Sequence, residues 1–160
     1  MSIRKLALAA SAAALLAACA TTAPGPVSVA DTIALDPQLS TLNTLVQQAG
    51  LTETLKASGP YTVFAPTNEA FKAVPAKTMD ELKNPARLQE VLNYHVLPAR
   101  LTAAQVKPGN VKTAQGGNLA LAKAGDFVTV EEAMVQTADI AAVNGVVHTV
   151  DRVLLPPARR

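Results

Sequence analysis

His95 and His148 are the only imidazoles in this chain and Cys19 is its only thiol. An imidazole can move protons near neutral pH or bind zinc, so these positions are where acid–base or metal chemistry would be sought. A catalytic zinc takes about three protein ligands, and the chain has no His-x-His or His-x-x-x-His pair to start one. Asp139 or Asp151 could join the histidines only through folding. His95 continues an apolar helical face and His148 sits inside an apolar strand, surroundings that suit hydrogen-bonded core residues. Ser28, Ser40 and Ser58 fall in a tether, a helix start and a turn, and no Gly-x-Ser-x-Gly elbow exists. Glu131 and Glu132 are adjacent, but neighbours on a regular strand face opposite sides and cannot pair as catalytic carboxylates. No glycine-rich phosphate loop is present. The expectation is a chain without catalytic residues, metal or cofactor.

One stretch, YTVFAPTNEAF from Tyr61 to Phe71, has the outline of an active-site elbow. A strand stops at Pro66 and a helix begins among Thr67, Asn68 and Glu69. Each piece has a structural use. Thr67 fits an N-cap, its hydroxyl meeting the free amides of the first turn. Glu69 complements the helix dipole, and Phe64 and Phe71 anchor either side.

Composition narrows the function classes further. Apolar residues make up 49% of the 160 residues and charged ones 16%, enough for one domain with a real core. Net charge is +2, but Arg4 and Lys5 lie in a leader; the rest carries 12 basic residues (14 − 2) against 12 acidic. The only basic run is Arg159-Arg160, so the clustered cations of a nucleic-acid site are missing. Without Trp, and with Tyr61, Phe64, Phe71, Tyr94 and Phe127 as the only aromatics, stacking platforms for sugars or single-stranded nucleic acid are also disfavoured.

The N-terminus reads as an address. Arg4-Lys5 precede an apolar run, Leu6 to Leu16, of 11 residues. That is shorter than the roughly 20 residues of a membrane span, which makes residues 1–18 a signal peptide. The run ends in Leu-Ala-Ala-Cys, Leu16 to Cys19, which resembles the lipobox of bacterial lipoproteins. The resemblance implies diacylglycerol attached to Cys19, cleavage before it and acylation of the new amino terminus. An ordinary secreted chain cut after Ala20 is the alternative. Ala20 in place of aspartate points to the outer membrane, with periplasmic or surface exposure. Residues 19–29 then form the lipidated cysteine and a Thr/Pro/Gly-containing tether, and 30–157 the domain.

Within the domain, Asp36-Pro37 signals a capped helix start, and Leu39, Leu42, Leu45, Val46 and Ala49 recur at helical spacing up to Gly50. A short helix follows near Thr52–Ala57. Thr78…Glu81 and Thr102…Gln105 have capping-box spacing. Asn84-Pro85 opens a helix with Leu88, Val91, Leu92 and His95 on one face. After Pro108 the period changes to two, with hairpin signals at Gly116-Gly117, Gly125-Asp126 and Asn144-Gly145. Helices concentrated in the N-terminal half and mostly antiparallel strands in the other define an α+β domain.

Three segments together resemble the fasciclin-like (fasciclin type 1) domain: TVFAPTNEAF (Thr62–Phe71), LNYHVLP (Leu92–Pro98) and ADIAAVNGVVHTVDRVLLP (Ala138–Pro156). They carry the signature positions Thr67, Asn68, Asn144, Gly145 and His148. Asn68 departs from an aspartate common there. The resemblance implies a β-sandwich or wedge flanked by helices and an extracytoplasmic role, usually adhesion to a protein or matrix partner. Segments assigned to integrin contact in animal members fall on Tyr94-His95 and Asp139-Ile140, which makes those four residues candidate interaction sites. Some members bind apolar pigments such as carotenoids, so an apolar ligand is the alternative function.

Overall fold

The structure, a computed structural model, describes residues 27–157. The domain starts with helix α1, Val29–Leu35, capped by the Ser28 hydroxyl. Ser28 Oγ accepts from Asp31 N (3.2 Å) and donates to the Asp31 carboxylate (2.7 Å), a reciprocal capping arrangement. Val29 is fully buried. Residues 27–29, assigned to the tether from sequence, are therefore part of the packed domain.

Asp36 caps a short 3-10 turn, Pro37–Leu39, that leads into α2, Ser40–Gln48; α3, Thr52–Lys56, follows. Strand β1, Tyr61–Pro66, then runs to the Thr67 cap of α4, Asn68–Lys72. Helix α5 is Ala76–Glu81, and α6 is Pro85–Tyr94 with Asn84 as its cap. Thr78 lies inside α5, whose N-cap is Pro75, so the expected capping box there is not one. Thr102 and Gln105 do bond reciprocally, Thr102 N to Gln105 Oε1 (3.2 Å), but around an isolated turn.

The remaining strands are β2 (Val96–Leu97), β3 (Gly109–Lys112), β4 (Asn118–Ala124), β5 (Phe127–Val130), β6 (Ala133–Ala142) and β7 (Gly145–Val150). They join β1 in one seven-stranded sheet of order β2-β1-β7-β6-β5-β4-β3. All pairings are antiparallel except β1 with β7, the first and last strands among the described residues, which run parallel from Tyr61↔Gly145 to Pro66↔Val150. β7 ends at Val150. Glu131 and Glu132, expected on a strand, form the two-residue loop between β5 and β6, with Glu131 at φ +54°.

Every residue of β7 is buried, as for a strand covered on both faces. Alternation along β1 divides the core in two. Val63 and Ala65 face a cluster with Val29, Ile33, Leu42, Val46, Val91 and Val147 beneath the helices. Phe64 faces the other cluster, with Tyr94, Leu119, Leu121, Val128, Val130 and Val150.

Candidate functional site

The elbow is built as a joint. Thr67 Oγ1 accepts from Ala70 N (3.4 Å), and Thr67 N donates to Val150 O (3.2 Å), tying the helix start to the end of β7. Phe71 enters the helical cluster and Phe64 the opposite one, so the turn spans both cores. Asn68 bridges to the start of α2: its Oδ1 accepts from Thr41 N (3.0 Å) and its Nδ2 donates to Pro37 O (3.0 Å). A carboxylate at this position could keep the first bond and not the second.

Asn144 is a second joint. Its Oδ1 accepts from Val29 N (2.8 Å), and its Nδ2 donates to Leu55 O (2.7 Å) and Ala57 O (2.8 Å). One side chain thus fixes the start of α1 and the end of α3. Its own carbonyl accepts from Tyr61 N (2.9 Å). Gly145 is required by the adjoining strand: a Cβ there would lie 2.0 Å from Tyr61 O.

Both histidines are buried and held in one tautomer. His95 Nε2 faces the Leu154 N–H (2.9 Å) and must accept, so Nδ1 carries the proton and donates to Val91 O (2.8 Å). Burial lowers its pKa to about 4, against a partial upward pull from the Val91 carbonyl. His148 Nδ1 accepts from Asp139 N (3.1 Å), and Nε2 donates to Leu101 O (2.7 Å). Burial lowers its pKa too, and its ring stacks on Phe64 with centroids 5.5 Å apart. Neutral imidazoles with both nitrogens engaged have no lone pair or proton left for a substrate.

Tyr94 is buried, its hydroxyl 2.9 Å from Asn118 O and 3.3 Å from Glu131 Oε1. Burial and the Glu131 carboxylate push its pKa up to about 12. Asp139 sits in an irregular stretch of β6, at φ +58°, and accepts from Ala103 N (2.8 Å). Ile140 is half-buried against the helical cluster. Of the four candidate interaction residues, Tyr94 and His95 are 2% exposed and turned inward, while Asp139 is at the surface. Cys19 lies outside the described residues.

Among the described residues, no group of three or more His, Cys, Asp or Glu is placed to hold a metal ion. No buried side-chain nitrogen or oxygen there lacks a hydrogen-bond partner. No helix among them is long and apolar enough to cross a membrane. Surface clefts carry mixed linings; one of about 270 Å³ lies by Glu131, Glu132, Arg152 and Leu154, and one of about 440 Å³ by Gln89, Asn93 and Gln115.

Among the described residues the domain is thus two cores joined by hydrogen-bonded elbows. The Fasciclin domain family model matches residues 37–156. The chain is 43% identical over 134 residues to Protein sll1483 of Synechocystis sp., covering 82% of this chain and 74% of that protein. It is 36% identical over 150 residues to the cell surface glycolipoprotein MPB83 of Mycobacterium bovis, covering 86% and 67%. It also matches transforming growth factor-beta-induced protein ig-h3 of Sus scrofa, at 43% identity over 83% of this chain, but spans only 20% of that protein. A FAS1 domain pair from the insect cell adhesion molecule Fasciclin I superposes with a TM-score of 0.70 at 14% identity, over 81% of this chain and 51% of the insect chain. The chain belongs to the fasciclin domain family, whose members include cell-adhesion and cell-surface proteins.

Proposed function

We propose that this chain is a non-enzymatic, lipid-anchored envelope protein whose fasciclin domain mediates adhesion at the cell surface, in biofilm or host association. The observation that carries this reading is the state of its reactive residues. Both imidazoles and the Tyr94 hydroxyl are spent on bonds within the fold, which leaves the surface itself as the working part. Kinship with proteins named for cell adhesion and the cell surface supports the same reading. The Leu16–Cys19 motif supplies the anchor, and two or three acyl chains hold a protein stably at a bilayer.

Two measurements on the native cells test it. Labelled fatty acid should be incorporated into the wild-type chain and lost in Cys19→Ser. A pull-down from envelope extract should enrich a protein or matrix component, with no stoichiometric small molecule. Recovery of a coloured protein carrying an extractable apolar ligand, without such a partner, would replace adhesion by ligand carriage.

A further inference from the structure

A cleft of about 470 Å³ opens between the α3–β1 connection and the β6–β7 turn, lined in part by Lys56, Ser58, Gly59, Arg100, Val143 and Asn144. Its two cations are held from behind in the same way. The Asn144 amide donates to the carbonyls of Leu55 (2.7 Å) and Ala57 (2.8 Å), the residues on either side of Lys56. The buried Thr62 hydroxyl donates to Ala99 O (2.6 Å) and accepts from Leu101 N (2.8 Å), the residues on either side of Arg100. Two chain segments distant in sequence are thus each pinned across a cation, and both cations line one cleft. Cations on fixed backbone bind an anion with less ordering cost than cations on loose loops. The ion pair of Lys56 with Asp31 is long (3.7 Å) and about half-exposed at both ends, so water screens it and leaves Lys56 able to take a second anion.

The position of the cleft says which anion. Val143 borders it at 58% exposure, and its backbone N–H donates to Val27 O (2.9 Å). Val27, the first described residue, therefore stands at the rim of this cleft. Eight residues on from Cys19, Val27 can stand at most about 30 Å from it. We propose that the cleft takes the phosphate of an anionic phospholipid headgroup and so sets the face that the domain turns to the membrane. Arg100 supplies the planar fork suited to phosphate oxygens, Lys56 a point charge and Ser58 a hydroxyl. Val143 beside them suits the apolar edge of the headgroup layer. The proposal rests on the anchoring reading only for bringing a membrane within reach.

The test uses the full chain with vesicles of neutral phosphatidylcholine, or of the same lipid with phosphatidylglycerol, and follows acylation of individual lysines by mass spectrometry. Lys56 should react about fivefold more slowly on anionic than on neutral vesicles, the factor one cation contributes at such a surface. Lys72 and Lys83, which lie outside the cleft, should react alike on both. Arg100→Ala, a surface change, or raised salt should remove the difference. Equal Lys56 rates on the two vesicles would overturn the proposal. So would protection by inorganic phosphate equal to that of the vesicles, which would make the cleft a site for soluble anions. Flotation of the same samples reads the anchor separately: a chain that leaves neutral vesicles refutes anchoring, while Lys56 protection in excess anionic vesicles still decides the cleft.

Discussion

Acid should destabilise this domain as pH falls below about 6.5, and His95 is the main reason. The native state holds His95 neutral, because its Nε2 accepts from Leu154 N–H and a proton there would meet another donor. Its folded pKa is about 4, below the ordinary 6.5. The sign follows from proton binding. The unfolded chain takes up a proton as pH falls through about 6.5 and the folded chain does not until about 4, so stability is full above 6.5 and falls between the two values. One pKa unit is about 1.4 kcal/mol, so by pH 4.5 His95 alone removes roughly 2–3 kcal/mol. The lowered pKa of His148 acts in the same direction. Urea unfolding at steps from pH 7.5 to 4.5 measures the loss as a falling midpoint at constant slope. In His95→Gln the pH dependence should shrink by most of that amount, although the variant starts less stable. A midpoint flat between pH 6.5 and 4.5, or an NMR titration of native His95 near 6.5, would refute the account of this residue.

Three substitutions probe the joints. Asn144→Ala loses three hydrogen bonds, each worth about 1 kcal/mol net, so denaturant unfolding should show a loss of about 3 kcal/mol. Gly145→Ala puts a methyl 2.0 Å from Tyr61 O; backbone cannot yield as a side chain does, and the cost should exceed the roughly 1–3 kcal/mol of ordinary overpacking. Its readout is a shortage of folded protein on expression. Thr67→Ala removes a cap and should cost about 1 kcal/mol while binding by the folded fraction is kept. Loss of binding at unchanged stability would return the elbow to a functional role.

The parts of the fold legible in the sequence were those written in local grammar. Strand, proline stop and Thr67 cap sit within a few residues, and the Asn84-Pro85 start is equally local. Helix α1 carried such a signal in Ser28…Asp31, but it was hidden by the tether-like composition around it. The Glu131-Glu132 loop carried none, since no Gly or Asn marks the reversal. What sequence could not supply was partnership over distance. Asn144-Gly145 read as a tight turn, yet the Asn144 partners Val29, Leu55 and Ala57 lie 87–115 residues away. His95 belonged on an apolar helix face, but its acceptor role depends on Leu154, 59 residues on. The inward placement of Tyr94 and His95 likewise follows from tertiary packing, and no local pattern separates a buried Tyr-His pair from a displayed one.

Attachment of cells lacking the gene, restored with either the wild-type chain or a destabilising Gly145→Ala chain, tests the adhesive role most directly. Attachment and aggregation should fall on deletion and return with the wild-type chain but not with the variant. Unchanged attachment on deletion would contradict the adhesive role.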